Sequence, residues 1–164
     1  MSESLYHQNK PLVHLMILGI LCFIRISFID DPVETFILIA WAFYFMGIGF
    51  AFLTMNYRSK KTPQILLHLI CAFLTNCLAF YFFTMSDSQN FLLLLGAFIG
   101  SLSYNIFTKL IFKFSVSYRE IIFVAIISLI AFLPGQLYYW DILAKCISLF
   151  AWTIVNGYFA KKRY

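Results

Sequence analysis

A chain of 164 residues that is 62% hydrophobic and only 12% charged, with a mean hydropathy of +0.86, falls outside the range of soluble globular domains, which run about 45–50% apolar and about 25% charged. Twenty phenylalanines and ten tyrosines fit lipid-facing and interfacial surface better than a soluble core of this size. The net charge of +5 sits in short clusters beside apolar runs and not on one basic face, so direct nucleic-acid binding is not expected, whereas contact with membrane lipids is.

The first apolar run, Leu12–Phe28, follows Lys10 and has no small-x-small cleavage site before Asp30 and Asp31, so it reads as an uncleaved span. Its His14, Leu18, Cys22 and Arg25 share one helical line. The second, Phe36–Met55, carries the small-residue pair Gly47-x-x-x-Ala51, a device for close helix packing. The third, Ile65–Met85, places His68, Ala72, Thr75, Asn76 and Ala79 on one face. The fourth, Phe91–Phe112, contains the pair Gly96-x-x-x-Gly100. The fifth, Ile121–Trp140, passes through Pro134-Gly135, and the sixth, Ile142–Ala160, sets Lys145, Ser148, Trp152 and Asn156 on a second polar line.

Each run is 17 to 22 residues long, enough to cross a hydrocarbon core of about 30 Å at about 1.5 Å per residue. Backbone groups in lipid must be satisfied within the segment, so the runs are expected to be helices. The predicted fold is an all-α, polytopic transmembrane bundle: one domain, residues 1–164, with six spans. The alternative is four spans plus a re-entrant hairpin made of the last two runs. Lys10, Arg58, Lys60, Lys61, Lys113, Arg119, Lys161, Lys162 and Arg163 alternate with links carrying Asp30, Asp31, Glu34, Asp87 and Asp141. The Lys/Arg excess places both termini in the cytoplasm, in a membrane expected to be the bacterial inner membrane.

All seven acidic residues lie in termini, links or span ends. A coupling ion needs a counter-charge near the midplane, and carboxylate or metal catalysis needs paired ligands, so ion-coupled transport and enzymatic activity are not expected. No catalytic, cofactor or metal residues are predicted. Cys22, Cys71, Cys77 and Cys146 lie inside apolar runs without a C-x-x-C pair and read as small hydrophobes. Arg25 and Lys145 stand against the inside rule. With His68, Asn76 and Asn156 they mark a candidate polar path or anion site, while the bland account is snorkelling, ion pairing and helix–helix hydrogen bonding.

The basic loops and tail offer a docking surface for an acidic cytoplasmic protein. The expected function is therefore a non-enzymatic membrane subunit that forms a homo-oligomer and anchors or regulates a cytoplasmic partner. The alternative is a small channel or facilitator for a neutral or anionic solute. In span count and length the chain resembles the substrate-binding subunits of energy-coupling vitamin transporters, but residues 16–22 lack the Ala-x-x-x-Ala contact pattern of their first helix. It is also similar in size to small membrane components of bacterial defence operons such as the Kiwa system, a likeness of general class that no residue pattern carries; a membrane sensor in a multi-protein assembly is one form the expected subunit role could take.

Overall fold

The computed structural model describes residues 31–34, 48–52, 54–85, 91–138 and 142–164. The expected first span with Arg25, and most of the second with Gly47, lie outside the described residues. Among those described, all regular structure is helical: α1 (Thr62–Met85), α2 (Leu92–Phe112), α3 (Tyr118–Ala131), the short α4 (Leu133–Leu137) and α5 (Ile142–Arg163). Further helical residues occur at 32–34 and 48–52. Three segments are long and apolar enough to cross a membrane, namely Thr62–Ala79 of α1, all of α2, and Tyr118–Leu137 of α3 with α4.

Local chemistry sets the helix ends. α1 starts three residues ahead of the apolar run because Pro63 falls in its first turn, where a missing N–H has no partner to lose. Gln64 then donates through Nε2 to the Ile111 carbonyl (3.0 Å), tying the start of α1 to the end of α2. α2 stops at Lys113, which turns left-handed (φ 56°) and returns its N–H to the Lys109 carbonyl. The Lys109 ammonium donates to the carbonyls of Phe114 and Val116, so one cation gathers the link. α3 opens with a capping box: the Ser117 hydroxyl accepts an N–H of the first turn, and Glu120 accepts the Ser117 N–H. That box moves the helix start from the expected Ile121 to Tyr118. Pro134 cannot donate to the turn before it, so the fifth run is two helices, reset at Phe132, and not one rod.

α2 is the centre of the described bundle. Its buried residues form two adjacent i, i+4 ridges, Gly96-Gly100-Tyr104-Thr108-Phe112 and Ala97-Ser101-Asn105. The first faces α1. The second faces α3 and the side chains of Trp152 and Asn156 on α5. Phe50, Ala51 and Thr54 close over the first ridge, where Phe50, Ala51, Ala72 and Tyr104 form a buried cluster. α5 runs antiparallel to α3 and α4: Ser148 meets Gly135 near one end, and Arg163 pairs with Glu120 at the other. A Cβ at Gly135 would lie 3.0 Å from the Ser148 hydroxyl and 3.3 Å from the Lys145 backbone, so a side chain there would require α4 and α5 to give by a few tenths of an ångström. Leu66, Ile70, Leu74 and Leu78 of α1, and Ile122, Phe123, Ile126 and Ile130 of α3, remain exposed as apolar outer faces.

The two glycines of α2 make a paired test. A Cβ on Gly96 would lie 2.9 Å from Phe82 Cβ, whereas one on Gly100 meets only ordinary contacts at 3.5 and 3.8 Å. Overpacking costs roughly 1–3 kcal/mol, and replacing a helical glycine by alanine returns roughly 1 kcal/mol. Gly96→Ala is therefore expected to lower stability by about 1 kcal/mol, and Gly100→Ala to leave it unchanged or raise it slightly. Thermal unfolding of both variants in the same detergent decides it; equal midpoints would remove the close-approach account.

Candidate functional site

Two buried polar seams and one basic end carry the chemistry of the described residues. In the seam between α1 and α2, His68 is 1% exposed. Its Nε2 lies 2.9 Å from the Thr108 hydroxyl and its Nδ1 2.6 Å from the Tyr57 hydroxyl. Thr108 gives its own proton to the Tyr104 carbonyl (2.7 Å), so it must accept from His68 Nε2–H. Nδ1 is then the acceptor and Tyr57 the donor, a complete set for a neutral imidazole. Phe112 and Tyr104 pack their rings against it at 5.1 and 5.5 Å. Beside it, Thr54 donates to the Phe50 carbonyl and accepts from the Tyr104 hydroxyl, each at 2.7 Å.

The second seam joins α2, α3 and α5 through Asn156, which has no exposed surface. Its Oδ1 accepts from Ser101 (2.6 Å) and from Asn105 Nδ2 (3.3 Å). Its Nδ2 donates to the Ser128 hydroxyl (2.8 Å) and the Trp152 carbonyl (3.0 Å). Every hydrogen-bonding position of that amide is thereby used. Tyr164 reaches back to the same seam, donating to the carbonyl and Oδ1 of Asn105 at 3.1 and 3.2 Å. Burial, and then the charge of Glu120, push its phenol above the usual tyrosine range; burial alone does so for Tyr57 in the 55–61 link.

Of the residues expected to share a polar path, His68 and Asn156 belong to different seams. Asn76 bonds its own helix at the Ala72 carbonyl (2.8 Å) and lines a cavity of about 40 Å³ with Thr75, Ala79, Phe50, Gly100 and Trp152. The Thr75 hydroxyl there is buried without a partner. Asn156 is not among the cavity's walls. Lys145 lies half-buried in the first turns of α5, beside Gly135. Arg25 is outside the described residues. Gly96, Gly100 and Ala51 are all used in packing within the chain. Among the described residues no three His, Cys, Asp or Glu side chains gather as metal ligands, and Cys71 and Cys77 are free thiols.

The basic residues do come together. The start of α1, the end of α2, the start of α3 and the end of α5 meet at one end of the bundle, as the contacts of Lys60 with Phe112 and Phe114, and of Arg163 with Glu120, require. Arg58, Lys61, Lys113, Arg119, Lys161, Lys162 and Arg163 are exposed there, while Lys60 is half-buried over the two phenyl rings at 5.3 and 4.7 Å. Sequence reasoning did not find Tyr57, Thr54, Ser101, Tyr104, Asn105, Ser128 or Tyr164. The i, i+4 spacing of Ser101 with Asn105, and of Tyr104 with Thr108, inside an apolar run was the available signal.

Comparison of the chain with protein-family models, with curated proteins and with solved structures gives no match in any of the three.

The seam makes its own prediction. Removing the Asn156 amide leaves Ser101, Asn105 and Ser128 short of a partner in a buried site, at a cost of roughly 1–3 kcal/mol. Interhelical hydrogen bonds in membranes average a smaller figure, about 0.6 kcal/mol each. Asn156→Ala is expected to destabilise by about 1–2 kcal/mol, and Asn76→Ala, which breaks a bond within one helix, by under about 0.5 kcal/mol. Denaturant titration in micelles measures both, and equal losses would contradict the central role given to Asn156.

Proposed function

We propose that the chain is a non-enzymatic integral membrane subunit of six spans, with both termini in the cytoplasm, whose basic end docks an acidic cytoplasmic protein. The observation that carries this reading is the convergence of nine Lys and Arg residues from four helix ends onto one end of the bundle, seven of them exposed. An oriented basic surface next to a membrane speeds association with an acidic partner and selects against basic ones. At 22 residues, α5 is about 33 Å long, which supports a full crossing over a shallow hairpin. Self-association belongs to the same reading, but it draws no support from Gly96 and Gly100, which pack within the chain.

The channel alternative is less well supported. A path for a solute needs polar groups facing a continuous lumen, and the polar groups of both seams already bond one another. The cavity beside Thr75 is about 40 Å³, room for water-sized guests only.

The test separates docking cations from structural ones. Lys60, Lys109 and Arg163 hold the bundle's own end together, whereas Arg58, Lys61 and Lys113 point outward. The triple variant Arg58→Gln/Lys61→Gln/Lys113→Gln is expected to insert and fold normally while losing at least about tenfold of a co-purifying soluble protein. Native mass spectrometry of complexes gently extracted from the native membrane reads the loss. Full retention by the triple variant would overturn the docking assignment, and solute flux in proteoliposomes would favour the channel.

A further inference from the structure

A groove of about 590 Å³ lies between α3 and α5. Each helix lines it with one i, i+4, i+8 row that is cationic at the basic end and apolar beyond: Arg119, Phe123 and Ile127 on α3, and Lys162, Tyr158 and Ile154 on α5. Each row spans about 12 Å along the helix axis. Val124, Val155 and Phe159 complete the lining, and the outer neighbours Ile122 and Ile126 are exposed.

The mouth holds a third cation and one acid, Arg163 and Glu120, and these satisfy each other. Arg163 donates to Glu120 Oε1, and the other carboxylate oxygen accepts the Ser117 N–H at 3.1 Å. Lys162 lies 5.9 Å from the centre of the Tyr158 ring. Among the described residues no carboxylate pairs with Arg119 or Lys162. The groove therefore presents two cations at its mouth and an apolar floor running into the depth of a predicted span.

We propose that this groove binds one anionic phospholipid, with an acyl chain along the Phe123–Ile127 and Ile154–Tyr158 rows and its phosphate on Arg119 and Lys162. Charge and depth argue for this occupant together. A soluble acidic protein matches the mouth but does not reach the apolar floor, and a zwitterionic lipid matches the floor but offers the two cations less. The proposal withdraws Arg119 and Lys162 from the docking surface and leaves Arg58, Lys61 and Lys113, on which the docking test is made, in place.

The test is native mass spectrometry of the full chain released from bilayer discs holding equal amounts of phosphatidylglycerol and phosphatidylethanolamine with the same acyl chains. The unaltered protein is expected to retain one phosphatidylglycerol in preference. Arg119→Gln or Lys162→Gln alone should weaken that preference about fivefold, and the double variant about thirtyfold. Val155→Trp, which fills the floor and leaves every charge in place, should lose the bound lipid. The pair Arg58→Gln/Lys61→Gln removes the same charge elsewhere and should retain it. Equal retention of the two lipids by the unaltered protein would overturn the proposal, as would an equal loss in the control pair. A double variant that keeps its phosphatidylglycerol but sheds a soluble protein would do so too, and would return the mouth to the docking surface.

Discussion

Gly96 brings α1 so near to α2 that even a methyl group there would lie 2.9 Å from Phe82 Cβ. Much of the described bundle follows from approaches of that kind. Lipid tails are as apolar as leucine, so helices in a bilayer gain little from burying apolar surface against one another. Tight packing and interhelical hydrogen bonds must hold them. The close seam puts His68 within reach of Thr108, and it lets Tyr57, beyond the end of the preceding helix, complete the imidazole from the other side. Gly100 leaves room for Trp152, whose indole donates to the Ala97 carbonyl at 3.0 Å. Gly135 repeats the device on the far side of the bundle, where its N–H meets the Ser148 hydroxyl at 2.8 Å. In each case the small residue decides which polar groups can meet.

Much of this fold was legible in the residues, because length and apolarity alone mark a segment that lipid forces into a helix. The runs beginning at Ile65 and Phe91 correspond closely to α1 and α2. The start of α3 was legible too, in the Ser117-x-x-Glu120 pattern, but hydropathy passes over a capping box because its residues are polar. The break at Phe132 follows from the missing N–H of Pro134, yet whether a proline bends a helix or splits it depends on the helix packed beside it, here α5 through Gly135 and Ser148. The seams were half-legible. The face of His68, Thr75 and Asn76 could be read from spacing, but its partners could not, because Tyr57 and Thr108 lie 11 and 40 residues from His68 in sequence. Asn105 and Tyr164, 59 residues apart, illustrate the same limit.

The basic residues were legible as a group but not as individuals. Sequence treats them alike, as topology markers and a docking surface, whereas geometry tells them apart. Lys109 binds the carbonyls that follow α2, Lys60 covers two phenyl rings, and Arg163 is held by the acid of the α3 capping box. Exposed, solvent-screened pairs contribute little on their own. The Arg163–Glu120 contact marks where the end of α5 meets the start of α3, beside the site where Tyr164 bonds Asn105. Charge on this face is thus partly architecture, and the cations that remain outward-facing are the ones a partner or lipid can use.

That division bears on why the polar interior argues for an anchor over a conduit. A transported solute must exchange its hydration for groups that are available to it, and those groups must release it again. Asn156 uses its full hydrogen-bonding capacity on Ser101, Asn105, Ser128 and its own helix, and His68 is saturated by Tyr57 and Thr108. Opening either site to a solute would break interhelical bonds in a medium that offers no replacement. The same saturation leaves the polar groups of the two seams committed to one another, while the exposed cations gather at the basic end. A membrane body with an articulated cationic face is suited to holding something else in place, and the residues able to do so are those whose charge the fold itself does not use.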